Sequence, residues 1–330
     1  MLQIHGCDGN GGACDVTVDE PKLPSGSLWL DVLKPDERET ALVERTTGFK
    51  LPSFEELSEV EISSRLRRSG KAIYLALPLV FRDPKGVPKI TPVGLILSAD
   101  HLVTIRFEEL KAFEACRARV DQGEVHRPSS VAVFVALLEA IVDRLADILE
   151  EVGTQLDVMA DEVFGKDLDR GANHRPKQQD ARLRNTLRRV GRSRQLISKV
   201  RATLLAISRI VPYVEGEGEE WLPHDAVPRL ETVLKDVGSL DEYENHLSDK
   251  VQFLLDADLG LINIEQNDRF RILTVVSVVG IPPTLVASLY GMNFKHMPEL
   301  EWIWGYPYGL TLIALSALVP LVYFRKRGWF

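Results

Sequence analysis

Charge is what the C-terminal part of this 330-residue chain lacks. Asp, Glu, Lys and Arg make up 27% of the whole sequence, yet residues 272–324 contain only one lysine and two glutamates. These three lie together and divide the segment into two uncharged runs, 272–290 and 302–324. About 20 apolar residues cross the hydrocarbon core of a membrane, and buried helices of soluble proteins rarely sustain such runs. The pattern predicts two transmembrane helices and argues against a soluble enzyme.

Cysteine is scarce as well. The three cysteines, Cys7, Cys14 and Cys116, fit a reducing compartment and provide no disulfide framework. Cys7 and Cys14 lie near His5, but in a Gly-rich stretch without C-x2-C spacing, so a flexible tail is favoured there over a metal site. We also find no apolar targeting core at the N-terminus, no G-x-x-x-x-G-K-[ST] nucleotide motif and no catalytic constellation. We therefore expect a protein that is not an enzyme.

Basic residues flank the two uncharged runs. Arg269 and Arg271 precede the first run, and Arg-Lys-Arg follows the second at 325–327. Cytoplasmic loops of membrane proteins carry an excess of Lys and Arg. We therefore expect a multi-pass protein of the inner or plasma membrane with both termini in the cytosol and an outer loop at 291–303.

The chain before the first run changes character along its length. Residues 1–26 are expected to form a flexible tail. Segments rich in Ile, Val and Leu, separated by turn residues, then predict a small cytosolic α/β domain over 27–125. The predicted strands are 27–32, 60–66, 72–81, 93–97 and 102–107, and the predicted helices are 37–46 and 54–57.

Long helices are predicted after residue 128. Apolar residues recur every three or four positions from Phe134 to Val163, which predicts a coiled-coil-like helix with Ser129 or Ser130 as N-cap. A second helix, 179–211, is strongly basic. It could bind nucleic acid or lipid headgroups, but its acidic neighbour favours charge matching between the two helices. The net charge of −8 likewise argues against a general nucleic-acid binder.

A third helical pattern begins after Pro228 and continues into the first uncharged run. A helix from there to Tyr290 would be about 90 Å long at ~1.5 Å per residue, a stalk that suits gating better than catalysis. The prediction is therefore an α+β membrane protein. Its helical domain and stalk occupy 126–271, and its transmembrane domain occupies 272–330, with spans at 272–290 and about 304–324.

Polar side chains line one face of the first span. Steps of three and four residues from an asparagine reach four hydroxyl residues and two apolar ones. Around an axis shared by several subunits, such a face would line a narrow, uncharged channel with apolar constrictions that could gate by dewetting. Ser and Thr also help helices to pack in lipid, and the pattern alone does not decide between the two. This polar stripe consists of Asn267, Phe270, Thr274, Ser277, Ile281, Thr284 and Ser288.

The loop between the runs carries the most specific motif. It begins with Tyr-Gly-Met-Asn-Phe at 290–294 and continues with Met-Pro-Glu-Leu at 297–300, Trp302 and Gly-Tyr-Pro at 305–307. With two C-terminal runs around it, this combination resembles the CorA family of magnesium transporters, and the architecture matches over nearly the full chain. The resemblance implies a homopentamer in the lipid bilayer with no bound cofactor. Mg²⁺ is then the transported ion and a candidate regulator.

The resemblance also implies roles for individual residues. Asn293 is expected to form a ring of five amides at the extracellular mouth of the pore. Gly291 would allow close subunit approach or unusual backbone angles, and Met292 would pack to hold the loop. Asn267 matches a second pore asparagine at the cytosolic end. Together, Gly291, Met292 and Asn293 are the expected ion-selectivity residues.

Neutral oxygens suit this ion. Mg²⁺ sheds water reluctantly and prefers octahedral oxygen coordination, so amide carbonyls can accept hydrogen bonds from the waters of the hydrated ion without stripping them. Thr284 and Ser288 fall at pore-lining positions of the family. Glu299, one acid per subunit, would concentrate cations near the mouth; the alternative is a solvated loop charge.

Two departures from the family pattern bear on function. Members are expected to close when intracellular Mg²⁺ bridges acidic residues between cytosolic domains, but residues 67–71 here read Arg-Arg-Ser-Gly-Lys. Acids remain on the stalk, and we assign no regulatory ligands. ZntB-type zinc transporters share the two-span plan, and His296 could add a softer ligand at the mouth.

The sequence therefore predicts a channel for Mg²⁺, with Co²⁺ and Ni²⁺ as further candidates, driven by the electrochemical gradient. The first alternative is a Zn²⁺ transporter of the same two-span family. The second, from a different class, is a membrane scaffold that conducts nothing. The expected partners are further copies of the chain, lipid and divalent cations, and no nucleic acid.

Overall fold

The computed structural model divides into two compact units, Met1–Leu255 and Asp256–Phe330. The first contains a β-sheet and long helices, and the second contains the two apolar C-terminal helices. The predicted α+β class is therefore confirmed. The predicted domain boundaries near 125 and 271 stay predictions. The structure describes residues 1–7, 12–14, 27–59, 61, 65–125, 128–164, 176–293 and 297–329.

Seven strands of the described residues form one mixed sheet in the order β2-β1-β3-β7-β6-β5-β4. Strands β3 and β7 pair in parallel, and the other neighbours pair antiparallel. The long β5–β6 hairpin reverses through the Asp-Pro-Lys-Gly turn at 83–86, where Asp83 accepts hydrogen bonds from the amides of Lys85 and Val87. The strands are β1 Leu2–Cys7, β2 Gly12–Cys14, β3 Trp29–Leu33, β4 Leu66–Ser69, β5 Ala72–Arg82, β6 Pro88–Leu97 and β7 Leu102–Arg106.

Seven α-helices and one 3-10 helix complete the described chain. Capping boxes start the first two helices, at Asp36 and Ser53. Ser129, one of the two predicted caps of α4, accepts a hydrogen bond from the amide of Ala132 at 3.1 Å. The helices are α1 Glu37–Thr47, α2 Phe54–Ser58, α3 Lys111–Asp121, α4 Ser130–Phe164, α5 Pro176–Glu217, α6 Ala226–Tyr290 and α7 Gly305–Lys326, with the 3-10 helix at Pro298–Glu301.

The sheet separates two apolar cores. Alternate residues of a strand point to opposite faces, and β6 illustrates the division: Leu95 and Leu97 join the core that includes α3, α4, α5 and the first part of α6, whereas Ile96 joins the smaller core beneath α1 and α2. Helix α3 was not predicted from the sequence. It packs Phe113 and Cys116 into the larger core.

The prediction of a flexible tail was wrong for the first residues. Leu2–Cys7 forms β1, which pairs antiparallel with β3. Leu2 and Ile4 are buried in the smaller core, and the amino group of Met1 forms an ion pair with the buried Glu39 at 2.7 Å. The Gly-rich composition of the following residues masked this short alternating pattern.

One other predicted strand needs comment. Residues 60 and 62–64 of the predicted strand 60–66 lie outside the described residues. The described strand β4 starts at Leu66 and continues to Ser69, and Gly70 supplies the left-handed backbone (φ 59°) of the turn into β5.

Charge matching connects the long helices. Arg189 of α5 reaches Glu162 of α4 at 2.8 Å, which confirms the interpretation of the basic helix as the partner of an acidic one. Asp157 of α4 pairs instead with Lys250 of α6. Both contacts are at the surface, where an ion pair is worth less than about 1 kcal/mol, so they select the partner helix more than they stabilise it.

Glu139 of α4 holds the first turns of α6 in place. Its carboxylate accepts three hydrogen bonds from the guanidinium of Arg229, at 2.8 to 3.0 Å, and one from Arg119 of α3 at 3.2 Å. A paired guanidinium fork fixes direction as well as distance. Helix α6, whose last part is the first apolar span, is therefore fixed at its start by the contact between Glu139 and Arg229.

A buried ion pair ties β3 to β7. The Asp31 carboxylate is fully buried and accepts hydrogen bonds from both the Nε and Nη2 atoms of Arg106, at 2.8 to 3.1 Å. Thr104 donates to the same carboxylate at 2.7 Å and accepts from the indole of Trp29. Arg117 of α3 approaches to 3.5 Å. These bonds satisfy an acid that would otherwise be costly to bury.

Replacing Arg106 with leucine should lower the free energy of unfolding by about 3 kcal/mol, because the buried Asp31 carboxylate loses its main partner. Thermal unfolding of the purified protein, followed by tryptophan fluorescence, measures the change. The double variant Asp31→Leu/Arg106→Leu is the control and should recover most of the lost stability, since it buries no charge. Equal stability of Arg106→Leu and wild type would contradict the argument.

Candidate functional site

In the described part of the chain, two helices are long and apolar enough to cross a membrane, α6 through its last part and α7. In each, only 6% of the residues in the most apolar stretch are buried within the single chain. Apolar surface of this extent is stable against lipid or against other chains rather than against water. The predicted spans 272–290 and 304–324 fall almost entirely within these two helices.

The polar stripe forms one open face of α6. Six of its seven residues are exposed in the single chain, and Ser277 is half-buried. Its apolar members, Phe270 and Ile281, expose 66% and 64% of their surface. On the opposite side Val275 is buried and Val279 half-buried, whereas Ile272 and Val276 are as exposed as the stripe residues. The hydroxyl and amide groups of the stripe therefore point away from the packed side of the helix.

The threonines of the stripe have a fixed hydroxyl orientation. The Thr274 hydroxyl donates to the Phe270 carbonyl at 2.7 Å, and the Thr284 hydroxyl donates to the Gly280 carbonyl at 2.8 Å. With the proton used inside the helix, the lone pairs remain as acceptors. The waters around a cation present their hydrogens outward, so an acceptor is the group that such an ion meets favourably.

Two adjacent prolines interrupt the hydrogen bonds of α6 beside the stripe. Pro282 and Pro283 have no N–H, so the carbonyls of Val278 and Val279 lose their usual helical donors. Prolines are tolerated in membrane helices when neighbouring groups satisfy the freed carbonyls. The pair therefore leaves two carbonyls without their helical donors next to the apolar stripe residue Ile281.

The Gly-Met-Asn triplet follows directly where α6 ends at Tyr290. The Gly291 amide donates to the Ala287 carbonyl at 3.0 Å, and a Cβ on Gly291 would lie 3.2 Å from that oxygen. Gly291 does not adopt the left-handed conformation. A larger residue at this position would be disfavoured because its side chain would crowd the end of its own helix. Asn293 is exposed, and Met292, expected to hold the loop, is 47% exposed in the single chain.

The rest of the outer loop is described in part. Residues 294–296, including His296, lie outside the described residues, so the softer-ligand alternative stays a hypothesis. Glu299 lies in the 3-10 helix Pro298–Glu301, and its side chain lies outside the described part. Its role in attracting cations stays a prediction. Trp302 meets Tyr308 edge to face at 6.2 Å, an aromatic pair of the kind enriched where helices leave a membrane.

Aromatic contacts also fix the C-terminus. The Trp329 ring stacks on Phe324 at 5.0 Å, and the guanidinium of Arg271 lies 5.8 Å from the Trp329 ring centre. These contacts bring the basic end of α7 to the basic start of the first predicted span. Clustered Arg, Lys and Trp at one end of both helices are typical of a membrane interface; that this end faces the cytosol stays a prediction.

A buried acid on α6 was missed from the sequence. Asp258 is fully buried, and neither carboxylate oxygen has a hydrogen-bond partner in the described part of the chain. Burial raises the pKa of this carboxyl. A signal was present: Asp258 lies four residues after Leu254 and four before Ile262, on the apolar face of the stalk pattern.

The basic segment 67–71 makes contacts within its own chain. Arg67 lies 4.3 Å above the Tyr74 ring, and Arg68 approaches Glu217 and Glu220 of the α5 end at 3.4 and 3.6 Å. This segment therefore anchors the end of α5 to the sheet edge. Of the stalk acids, Glu244 is buried 3.7 Å from Arg201, and desolvation raises its pKa.

The side chain of the N-terminal histidine, His5, is enclosed by the fold. His5 is buried with its ring 4.9 Å from Trp29, and its Nδ1 lies 3.3 Å from Asp121. Burial lowers its pKa, against the opposing effect of Asp121. The side chains of Cys7 and Cys14 lie outside the described residues. Among the side chains that the structure does describe, no group of three His, Cys, Asp or Glu is placed to hold a metal ion.

These features define a membrane protein with two C-terminal spans, the first of which carries a polar face. Residues 24–326 match the family model of the CorA-like Mg2+ transporter protein. The chain is 32% identical over 316 residues to the "Magnesium transport protein CorA" of Haemophilus influenzae, covering 95% of this chain and 96% of that protein. The chain therefore belongs to the CorA-like transporter family.

Solved structures agree in fold. The complete CorA magnesium transporter of Methanocaldococcus jannaschii superimposes with a TM-score of 0.80 at 17% identity, covering 100% of this chain and 99% of that one. The cytoplasmic domain of ZntB from Vibrio parahaemolyticus gives a TM-score of 0.53 at 11% identity, covering 80% of this chain and 98% of that one. Of these two comparisons, the first also includes both C-terminal helices.

Replacing Asp258 with asparagine should raise the melting temperature at pH 7.5, because it removes the cost of ionising a carboxyl whose pKa is raised by burial. The folded pKa lies above the unfolded value, so the native state binds the proton more tightly and stability falls as pH rises through the folded pKa. The advantage of the variant should shrink as the pH is lowered below that value. Thermal melts of the purified protein at a series of pH values from 7.5 downward provide the test.

Asp249→Asn is the matched control, because Asp249 is an exposed acid on the same helix. It should leave the melting temperature unchanged at each pH. A variant at Asp258 that melts below wild type at pH 7.5 would count against an unpartnered charge at this position.

Proposed function

We propose that this protein is a divalent-cation channel that admits Mg²⁺ to the cytosol down its electrochemical gradient. The observation that carries the proposal is the open polar face of α6, which leads from Asn267 to Ser288 and on to Asn293. Membership of a transporter family supports it. Relatives at about 30% identity over nearly the whole chain are named as magnesium transport proteins.

One copy of the chain cannot enclose a pore with this face. A single helix can only present a surface, so the polar stripe becomes a lumen when several copies place it around one axis. We infer a homopentamer, as the family resemblance implies. The exposure of Phe270 and Ile281 in the single chain supports an assembly, since both would meet their copies at the axis.

The ligand chemistry of the stripe favours a hydrated ion. Between the two asparagines, the stripe presents hydroxyls and apolar groups and no charge. Mg²⁺ holds its waters tightly, and a site of neutral acceptors binds the hydrated ion weakly enough to release it. Two threonine hydroxyls, with their protons given to helix carbonyls, are already oriented as acceptors. Asn293 would then select at the outer mouth.

The driving force needs no nucleotide. A membrane potential supplies ~2.3 kcal/mol per charge per 100 mV, and roughly double that for a dication. With both termini in the cytosol, as the basic flanks favour, inward movement follows the potential. Phe270 and Ile281 would act as apolar constrictions that block hydrated ions when they close. The protein is on this proposal a channel and not an enzyme.

Zinc is the nearest alternative cargo. The fold likeness to a ZntB cytoplasmic domain is the observation behind it, and nitrogen ligands at the mouth would favour it. The described stripe contains oxygen acceptors and no nitrogen or sulfur ligand of the kind that zinc prefers. We therefore place Mg²⁺ first, with Co²⁺ and Ni²⁺ as further cargoes. A scaffold that conducts nothing is the alternative from a different class.

Asn293→Ala should abolish Mg²⁺ entry into proteoliposomes under an inside-negative potential, because the mouth loses its ring of carbonyl acceptors. An entrapped Mg²⁺ dye reports entry, and a parallel Zn²⁺ dye tests the rival cargo. Asn245→Ala is the matched control: this exposed amide of α6 bonds the Asp241 carbonyl of its own helix, and its loss should leave flux unchanged. Zn²⁺ entry without Mg²⁺ entry would overturn the choice of cargo, and no flux of either would support the scaffold.

Thr284→Val should lower Mg²⁺ flux about fivefold, because valine keeps the shape and removes an acceptor worth about 1 kcal/mol. Thr284→Ser should retain most of the flux. The control is Thr311→Val on α7, where the hydroxyl makes the same bond to a carbonyl one turn back, that of Pro307. Equal losses in the Thr284 and Thr311 variants would indicate a packing role for both.

A further inference from the structure

A surface cavity in the unit Met1–Leu255 is unrelated to the polar stripe. It has a volume of about 380 Å³, within the range of small-molecule sites. One wall is the end of β5 from Leu79 to Arg82, a second is the start of α3, and the others are faces of α4 and α5. The described residues at its walls are all in one compact unit, so the cavity is a property of this fold alone.

The floor of the cavity is aliphatic. Its side chains are buried in the core beneath and turn only a small part of their surface to the cavity. Such a floor gains little from water, because it offers no hydrogen-bond partner. A ligand with an apolar body would replace that water favourably. The floor residues are Leu79, Leu110, Ile141, Leu145, Ile148 and Leu196.

The rim is charged, and its cations outnumber its anions. It contains Arg82, Lys111 and Arg144 against Glu109 and Glu151, a net charge of +1. Arg82 and Glu151 neutralise each other at 2.8 Å. In the part of the chain that the structure describes, Lys111 makes no ion pair. The exposed Lys111 ammonium is therefore the group most free to meet an anion.

Arg144 adds a second donor that can change partner. Its pairing with Asp147, one turn away on α4 and outside the cavity, spans 3.4 Å between exposed atoms, a contact worth little in water. A carboxylate at the rim would compete for this guanidinium in a less solvated place, where charge-assisted hydrogen bonds are stronger.

We propose that this cavity binds a small amphipathic anion, an aliphatic monocarboxylate, with its chain on the aliphatic floor and its carboxylate between Lys111 and Arg144. The two rim glutamates disfavour a ligand with several negative charges, such as a nucleotide or a phosphomonoester. The aliphatic floor disfavours a fully polar ion. The site is independent of the proposed cation pathway, and neither proposal depends on the other.

Binding of octanoate to the full-length protein in lipid nanodiscs tests the proposal, with ω-fluorinated octanoate followed by ¹⁹F NMR. Empty nanodiscs correct for partition into lipid. We expect saturable binding that weakens about tenfold in Lys111→Met, since a charge-assisted hydrogen bond is lost. Lys71→Met, an exposed lysine of the β4–β5 turn, is the matched control and should bind like wild type.

Two further arms locate the site and define its chemistry. Val80→Trp, at the partly exposed wall of the cavity, should fill the space and abolish binding. Fluorinated octanol should bind more weakly than octanoate and be unaffected by Lys111→Met, and octyl phosphate should not exceed octanoate. No saturable binding above empty nanodiscs, equal affinity in Lys111→Met, or preference for the alcohol or the phosphate would each overturn the proposal.

Discussion

The bilayer obliges every backbone polar group within it to find a partner in the protein, and α6 depends on this constraint throughout its last part. A continuous helix satisfies its own amides and carbonyls, which leaves the side chains free to divide between an apolar surface and one polar face. Where Pro282 and Pro283 interrupt the helical hydrogen bonds, the carbonyls of Val278 and Val279 lack their usual donors. The pathway proposed here exists because a helix can carry polar groups on one face without exposing its backbone.

The same helix begins in the unit Met1–Leu255, where ion pairs and buried apolar side chains hold it. Glu139 binds Arg229 and fixes the first turns, and Lys250 meets Asp157 on α4. Further along, Leu247, Val251 and Leu254 are buried. The apolar face then includes Asp258, whose buried carboxyl has no hydrogen-bond partner among the described residues, and this favours a local structure less tightly held than the turns before it. A stalk that is firmly fixed at its start and weakened before the membrane suits movement at that point.

Much of the fold could be predicted from local patterns along the sequence. Uncharged runs, helical periodicity and turn residues depend on local chemistry, so the two spans, the long helices and the hairpin strands β5 and β6 were predicted correctly. Strand β1 was missed because six residues next to a Gly-rich stretch carry little pattern, and their pairing with β3 is a long-range contact. Helix α3 was missed for a related reason, since its burial against α4 depends on the tertiary fold.

The candidate site divides in the same way. The stripe follows from steps of three and four along one helix, so its members could be named from the sequence alone, and their role as pore-lining residues stays a prediction. What they do depends on copies of the chain around an axis, and a single sequence carries no information on symmetry. The direction of the threonine protons is a local property, however. Because Thr274 and Thr284 give their protons to their own helix, each copy would bring acceptors to the axis already oriented, and assembly would have to supply only their distance from the ion.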